Sequence, residues 1–286
     1  MKKTLIELNK ACFVYNQGLP TECAALTDVD FKINSGDIIS LIGHTGSGKS
    51  TLVQLLNGQR RPSSGTVSWP GLDIGNAKKP DMKKLCTQVG MVFQYPEDQV
   101  FEETVYEDIA FGPEQLGKKP EEIERQVLKV AELMKITRET LNKSPFELSG
   151  GNLRKIAIAG VLVMEPKVLV LDEPMAGLDP TSCENFAHLM NDLKSNLDIS
   201  IIMVSHNLEY AAELSDYIYC MENGRIAMAG TPREIFSNAE KLIEMQTGTV
   251  PSAACAHKLM KHGFKFQDIP ITLDELVRGI VLNYAK

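Results

Sequence analysis

Eight consecutive residues, Gly43-His44-Thr45-Gly46-Ser47-Gly48-Lys49-Ser50, fit the pattern G-x-x-x-x-G-K-[ST]. Glycines at that spacing let the backbone curl without Cβ clashes, so several N–H groups turn toward one anion. The chemistry this suits is a grip on a nucleotide's phosphates. Lys49 can reach the β- and γ-phosphates, Ser50 offers a hydroxyl to Mg²⁺, and Thr51 a nearby phosphate contact. A second segment, Val168-Leu169-Val170-Leu171-Asp172-Glu173, ends an apolar run in two acids. At the C-terminal edge of a parallel sheet such acids face bound ligands. Asp172 would hold Mg²⁺ through water, and Glu173 would orient or deprotonate an attacking water. A third segment, Leu148-Ser149-Gly150-Gly151, precedes Leu153, Ile156 and Ala157 and reads as a second anion-binding helix start. One nucleotide does not ordinarily need two such starts in one chain, so a second chain's nucleotide accounts for it. A helix C-terminal glycine pair is the plain alternative.

Positioning these residues requires strands and helices in alternation. Phe31-Lys32-Ile33, the turn Asn34-Ser35-Gly36-Asp37 and Ile38–Ile42 read as strand, turn and buried strand leading into the glycine-rich loop. Leu52, Leu55 and Leu56 then follow helical spacing. Residues 60–80 are rich in Pro, Gly and Ser and predict turns and short strands, and Val89–Phe93 a compact strand. Pro120 with Glu121 and Glu122 predicts a helix start, and Ile123, Val127, Val130 and Met134 its apolar face over 120–135. Val168–Leu171 and Ile199–Val204 predict two more buried strands, with a helical stretch between them. This alternation implies an α/β class with a largely parallel sheet. From about residue 241 the pattern changes. Thr272-x-x-Glu275 is a capping-box signature, and Leu273, Leu276, Val277 and Ile280 repeat at helical spacing.

The 286 residues carry 30 Lys+Arg against 37 Asp+Glu, a formal charge of −7, which disfavours general binding to nucleic acid or anionic lipid. The uncharged apolar stretch Ile156–Met164 is far short of a membrane span. The basic N-terminus lacks the apolar run of a signal peptide. Cys12, Cys23, Cys86, Cys183, Cys220 and Cys255 are scattered without a CxxC pair, as expected of reduced thiols in a cytoplasmic protein.

With these motifs in this order the chain resembles the ATP-binding cassette (ABC) ATPases, the motor subunits of ABC transporters. The resemblance implies a P-loop NTPase fold with a mostly parallel sheet core, an antiparallel β subdomain and a helical signature subdomain at about 95–160. It implies roles for further residues: Tyr15 stacking on adenine, Gln94 joining the Mg²⁺ site to the transporter interface, and Ser149-Gly150-Gly151 as the signature. Gly177-Leu178-Asp179 would cross a dimer interface, and His206, at the end of Ile201–Ser205, would be the switch histidine. The catalytic candidates are then Glu173, His206 and Gln94, and the metal candidates Ser50, Gln94 and Asp172.

Within the family the chain is similar to the ATPases of energy-coupling factor (ECF) transporters, which import vitamins and metal ions. The phosphate loop, Gln94-Tyr95-Pro96-Glu97-Asp98-Gln99-Val100-Phe101-Glu102-Glu103-Thr104-Val105 and Pro145-Phe146-Glu147-Leu148-Ser149-Gly150-Gly151 carry that likeness. So does the tail Pro270–Leu276, which resembles the short C-terminal helical domain of these subunits. The implied organisation is a nucleotide-binding domain over 1–240 and a small C-terminal domain over 241–286. Ala110-Phe111-Gly112-Pro113 resembles the second of two paired ATPases. Asn152 and Met175 depart from the family's usual Gln and Thr. The implied cofactors are ATP and Mg²⁺. The implied partners are a second, paralogous ATPase subunit, a membrane scaffold protein and a substrate-binding membrane protein, met at the cytoplasmic face of the cell membrane.

A soluble ABC-type ATPase acting on DNA is the competing reading. Such chains usually carry coiled-coil arms or zinc modules between phosphate loop and signature, and neither a heptad run nor a CxxC is present. From Leu85 to Gly117 there is no Lys or Arg, yet Glu97, Asp98, Glu102, Glu103, Glu107, Asp108 and Glu114 occur, interleaved with Tyr95, Val100 and Phe101. A solvated acidic face is the bland account. The family's scaffold inserts arginine-bearing coupling helices here, which makes Glu97, Asp98, Glu102 and Glu103 candidate acceptors.

Overall fold

The computed structural model describes residues 2–69, 85, 87–95 and 99–284. Nine strands among the described residues form two sheets. Thr4–Tyr15 (β1), Cys23–Asn34 (β2) and Ser64–Ser68 (β4) make an antiparallel sheet in the order β2-β1-β4. Ile38–Ile42 (β3), Val89–Val92 (β5), Val168–Asp172 (β6), Ser200–Val204 (β7), Tyr217–Glu222 (β8) and Arg225–Gly230 (β9) make the second, ordered β5-β6-β7-β3-β8-β9. It is parallel except for β9, which pairs antiparallel to β8. Every residue of β3 and β7 is buried, as near-continuous apolar runs in a sheet covered on both faces should be.

Val204 on β7 is the register partner of both Leu41 on β3 and Asp172 on β6. The C-terminal ends of these three strands are therefore level, and the loops leaving them share one edge. The helix Lys49–Leu56 leaves β3 and buries Leu52, Leu55 and Leu56 in a core shared with Leu8, Phe31 and Ile33 of the antiparallel sheet. The Trp69 indole N–H donates to the Leu56 carbonyl at 2.8 Å.

A helical group covers another side. Val105–Gln115 starts at a capping box of Thr104 and Glu107. Pro120–Leu133 buries Ile123, Val127 and Val130, with Met134 just beyond it also buried, so the predicted apolar face holds. Gly150–Leu162 buries Ile156, Ala157 and Ile158 against the same core. The strand expected over Val89–Phe93 is β5, and that over Ile199–Val204 is β7. Of the segment 60–80, β4 is seen and 70–80 lies outside the described residues, as does Cys86.

Towards the C-terminus, Leu242, Met245, Val250 and Ala253 pack in one cluster with Ile42, Ile218 and Phe236 of the main body. Helices Pro251–Lys261 and Leu273–Tyr284 follow. At Thr272, the hydroxyl accepts the Glu275 N–H at 3.3 Å, and the Glu275 carboxylate accepts the Ile271 N–H at 2.9 Å. Leu276 is buried, whereas Leu273 and Val277 of the same predicted stripe are exposed. The described cysteines are free, and no helix among the described residues is long and apolar enough to cross a membrane.

Candidate functional site

The phosphate loop leaves β3 at Gly43, where φ is 144°. A Cβ there would come within 2.3 Å of the Met221 carbonyl oxygen, so only glycine fits. Gly48, at φ 108°, is the N-cap of helix Lys49–Leu56, and its Cβ would meet the Ala25 carbonyl oxygen at 2.9 Å. That helix has no side-chain cap and no acid in its first turn. Its first N–H groups and its dipole are left for an anion. Lys49 is buried, and its Nζ donates to the carbonyls of Gly43 at 2.7 Å and His44 at 3.0 Å. Burial pulls its ammonium below the usual lysine range, opposed by the carboxylates of Glu173 and Asp172. The Ser47 hydroxyl is buried without a hydrogen-bond partner.

Asp172 ends β6 and Glu173 follows it at φ 48°, with its N–H held by the Val204 carbonyl at 2.9 Å. Burial raises both carboxyl groups above their ordinary values. Lys49 and His206 draw Asp172 back, as do chiefly His206 and its N–H for Glu173. His206, one residue past Ser205, puts Nε2 3.3 Å from Glu173 Oε1 and donates its backbone N–H to Glu173 Oε2 at 3.3 Å. Glu173 Oε1 is buried and accepts no hydrogen bond.

These groups line one cleft of about 650 Å³. Thr45, Gly46, Gly48, Lys49, Ser50 and Thr51 form its phosphate-loop wall, and Asp172, Glu173 and His206 its acidic edge. Gln94, just past β5, and Tyr15, at the end of β1, complete it. The Tyr15 hydroxyl lies 3.1 Å from Thr51 Oγ1, and the Arg60 guanidinium stands 4.7 Å from the centroid of its ring. Gly43, His44 and Ser47 support the loop without lining the cleft. A second hollow, about 610 Å³, lies by Pro166, Lys167 and Asp198 at the N-terminal ends of β6 and β7, away from the loop and the acid pair.

Ser149, Gly150 and Gly151 are not in the cleft. Ser149 is the N-cap of helix Gly150–Leu162, its side chain makes no cap hydrogen bond, and the first turn carries no acid. A Cβ on Gly150 or Gly151 would meet nothing within 4 Å. Nothing among the described residues requires glycine at either place.

Sequence reasoning missed the Asn223-Gly224 turn between β8 and β9, which borders the cleft. Gly224 donates its N–H to the Ser47 carbonyl at 3.0 Å and accepts from the Thr27 N–H at 2.8 Å, bracing the loop. Asn-Gly between apolar runs is a strong hairpin signal and could have revealed the turn. Met175 is buried in the core, whereas Asn152 is exposed beside the signature. Val100, expected among surface apolar residues, is buried, whereas Tyr95 and Phe101 are exposed. Of the acidic run, Asp108 is buried and accepts the N–H groups of Phe101 and Glu102, and Glu107 caps its helix. Glu97 and Asp98 lie outside the described residues.

No cluster of three or more His, Cys, Asp or Glu among the described residues could hold a metal alone. Ser50, Gln94 and Asp172 offer only oxygen, next to Glu173 Oε1, which accepts no hydrogen bond. That set fits a hard cation taking its remaining ligands from water and phosphate.

Residues 26–176 match a family model described as ABC transporter. An energy-coupling factor transporter ATP-binding protein EcfA2 of Caldanaerobacter subterraneus subsp. tengcongensis is 44% identical over 281 residues, 98% of each chain. Another EcfA2 of Lactiplantibacillus plantarum is 43% identical, covering 96% of this chain and 94% of its own. The solved structure of cbiO1 from Clostridium perfringens, part of the ABC transporter complex cbiONQ, is 31% identical with a TM-score of 0.77. That match covers 91% of this chain and 100% of the solved one.

Proposed function

The chain belongs to the ABC transporter family, among its energy-coupling factor transporter ATP-binding proteins, and from that premise we propose how its residues use ATP. It binds and hydrolyses ATP to power transport. The alternative of a DNA-directed ATPase has no support, because the relatives matching nearly the whole chain are transporter subunits.

Lys49 and the N–H groups of the loop and helix start hold the β- and γ-phosphates, Thr51 adds a contact, and Tyr15 takes the adenine. Ser50, Asp172 and Gln94 would hold Mg²⁺, which when bound would offset charge on the phosphates. Glu173 accepts the proton of the attacking water. His206, beside both carboxylate oxygens of Glu173, keeps that carboxylate oriented and offsets part of the rise in proton affinity that burial causes. The observation that carries this reading is the shared strand edge, where Val204 pairs with Leu41 and Asp172 and so sets the acid pair beside the phosphate loop.

Ser149, Gly150 and Gly151 act on the nucleotide of a second cassette, a paralogous subunit, whose own signature completes this chain's site. In a two-cassette complex of fixed composition, Lys49→Ala paired with an alanine at the partner's signature serine should leave one working site. Lys49→Ala and Ser149→Ala in the same chain should leave none. Steady-state ATP hydrolysis reads the difference, and the opposite pattern would place each signature on its own nucleotide.

Residues 1–240 serve as the nucleotide-binding domain and 241–286 as its appendix, tied back by Arg233 to the Ile269 carbonyl at 3.0 Å and Glu275 at 2.6 Å. The chain sits on the cytoplasmic face of the cell membrane, held by a membrane scaffold protein that also carries a substrate-binding membrane protein. Exposed Phe93, Tyr95 and Phe101 beside Glu102 and Glu103 suit a docking helix with apolar and arginine side chains. Replacing Glu97, Glu102 and Glu103 by Gln and Asp98 by Asn should weaken assembly by up to about fivefold per pair lost, with ATP binding intact. Co-purification and transport that match wild type would return these acids to a solvated face.

A further inference from the structure

Arg154 lies on helix Gly150–Leu162, a turn beyond its start, and is only 7% exposed. A guanidinium that deep needs acceptors, since its charge is costly to strip of water. Its Nη1 donates to the Pro174 carbonyl at 2.8 Å and its Nη2 to the Ala176 carbonyl at 3.1 Å. These carbonyls flank Met175 in the turn directly after Glu173. Ala176 in turn donates its N–H to the Glu173 carbonyl at 3.0 Å. Two hydrogen bonds thus join the Arg154 guanidinium to the backbone of Glu173. Glu173 is held at φ 48°, a conformation that side chains other than glycine keep only where their surroundings enforce it. The grip of Arg154 on the following turn is part of that enforcement.

The other end of the same helix is Ser149 and the two glycines whose Cβ positions are open. We propose that Arg154 is a positioning residue, relaying contact at the Ser149–Gly151 helix start to Glu173 of the same chain. Engagement of a partner's nucleotide at the helix start would then set the carboxylate that acts on this chain's own ATP, so that the two sites fire in concert. The inference rests on the assignment of the signature to a partner's nucleotide. A planar fork holds these two carbonyls from two separate nitrogens in fixed geometry, whereas a lysine ammonium offers one nitrogen with freely rotating donors.

The test uses the ATPase complex that co-purifies with the affinity-tagged full-length chain. Arg154→Lys should lower kcat roughly 10- to 100-fold, with the Kd for ATP and ATP-driven association of the cassettes near wild type. Because the residue acts as a relay, that loss should largely vanish in a Glu173→Gln background and in a Ser149→Ala background. A merely structural arginine would lower Tm and multiply its loss with either substitution. Multiplied losses, or wild-type kcat in Arg154→Lys and in folded Arg154→Gln, would overturn the relay. Should Arg154→Gln not fold, the lysine variant decides. Ser149→Ala alone separates the two ideas: normal hydrolysis would sink the shared-site assignment. Lost hydrolysis with a wild-type Arg154→Lys would sink the relay only.

Discussion

Glu173→Gln should slow ATP hydrolysis by roughly 10²–10⁴-fold while ATP binding persists. The amide keeps the size of the side chain and an oxygen for the His206 N–H, which now donates to Glu173 Oε2 at 3.3 Å. It cannot take a proton. The carboxylate it replaces is well placed to do so, because its side chain is only 15% exposed and its Oε1, though 3.3 Å from His206 Nε2, is buried and accepts no hydrogen bond. Burial has also raised its proton affinity, which improves a base that must remove a proton from water. Single-turnover hydrolysis measured beside equilibrium ATP binding checks the prediction. Near-normal hydrolysis would remove Glu173 from the chemistry, and lost binding would make its part structural.

Gly151→Asp should cost about 10²–10³-fold in hydrolysis by the assembled complex, the size of losing a preorganised charge-stabilising contact. The isolated chain should notice nothing. A Cβ at this position meets no atom within 4 Å, and an acid in the first turn of helix Gly150–Leu162 suits its dipole. Tm and the Kd for ATP of the single chain should match wild type. In the complex the new carboxylate would face the phosphates of a partner's nucleotide and repel them. Hydrolysis that survives in the complex would mean that the signature does not meet a nucleotide.

Much of this site was legible because its local chemistry is stereotyped. The Gly43–Ser50 loop, the acids at the end of β6 and the Ser149–Gly151 helix start each announce themselves over a few residues. β3, β6 and β7 were readable as near-continuous apolar runs, since both faces of that sheet are covered. What escaped depends on contacts across the chain. Nothing near Asn223 or Gly224 says that their turn will brace the Ser47 carbonyl. Val100 and Asp108 look like members of an exposed apolar and acidic stretch. They are buried because helix Val105–Gln115 turns its Asp108 back to bind the N–H groups of Phe101 and Glu102. Arg154 reads as an ordinary helix cation until its partners, Pro174 and Ala176, are seen. Periodicity also overstated the last helix, where Leu276 goes in and Leu273 and Val277 stay out.

The pairing of β3 has a consequence for synthesis on the ribosome. Ile39 is flanked by Ile202 on one side and Tyr217 on the other, so both neighbours of this apolar strand are made long after it. The Gly224 bond that steadies the phosphate loop comes later still. A nascent chain that has finished its glycine-rich loop therefore has no sheet in which to seat it, and β3 waits with both hydrogen-bonding edges bare. Long-range parallel pairing of this kind is slow to form and leaves apolar edges available to other chains in the meantime. The segment that defines the nucleotide site is thus translated before the strands that secure it, which leaves β3 open to a chaperone until β7 and β8 arrive.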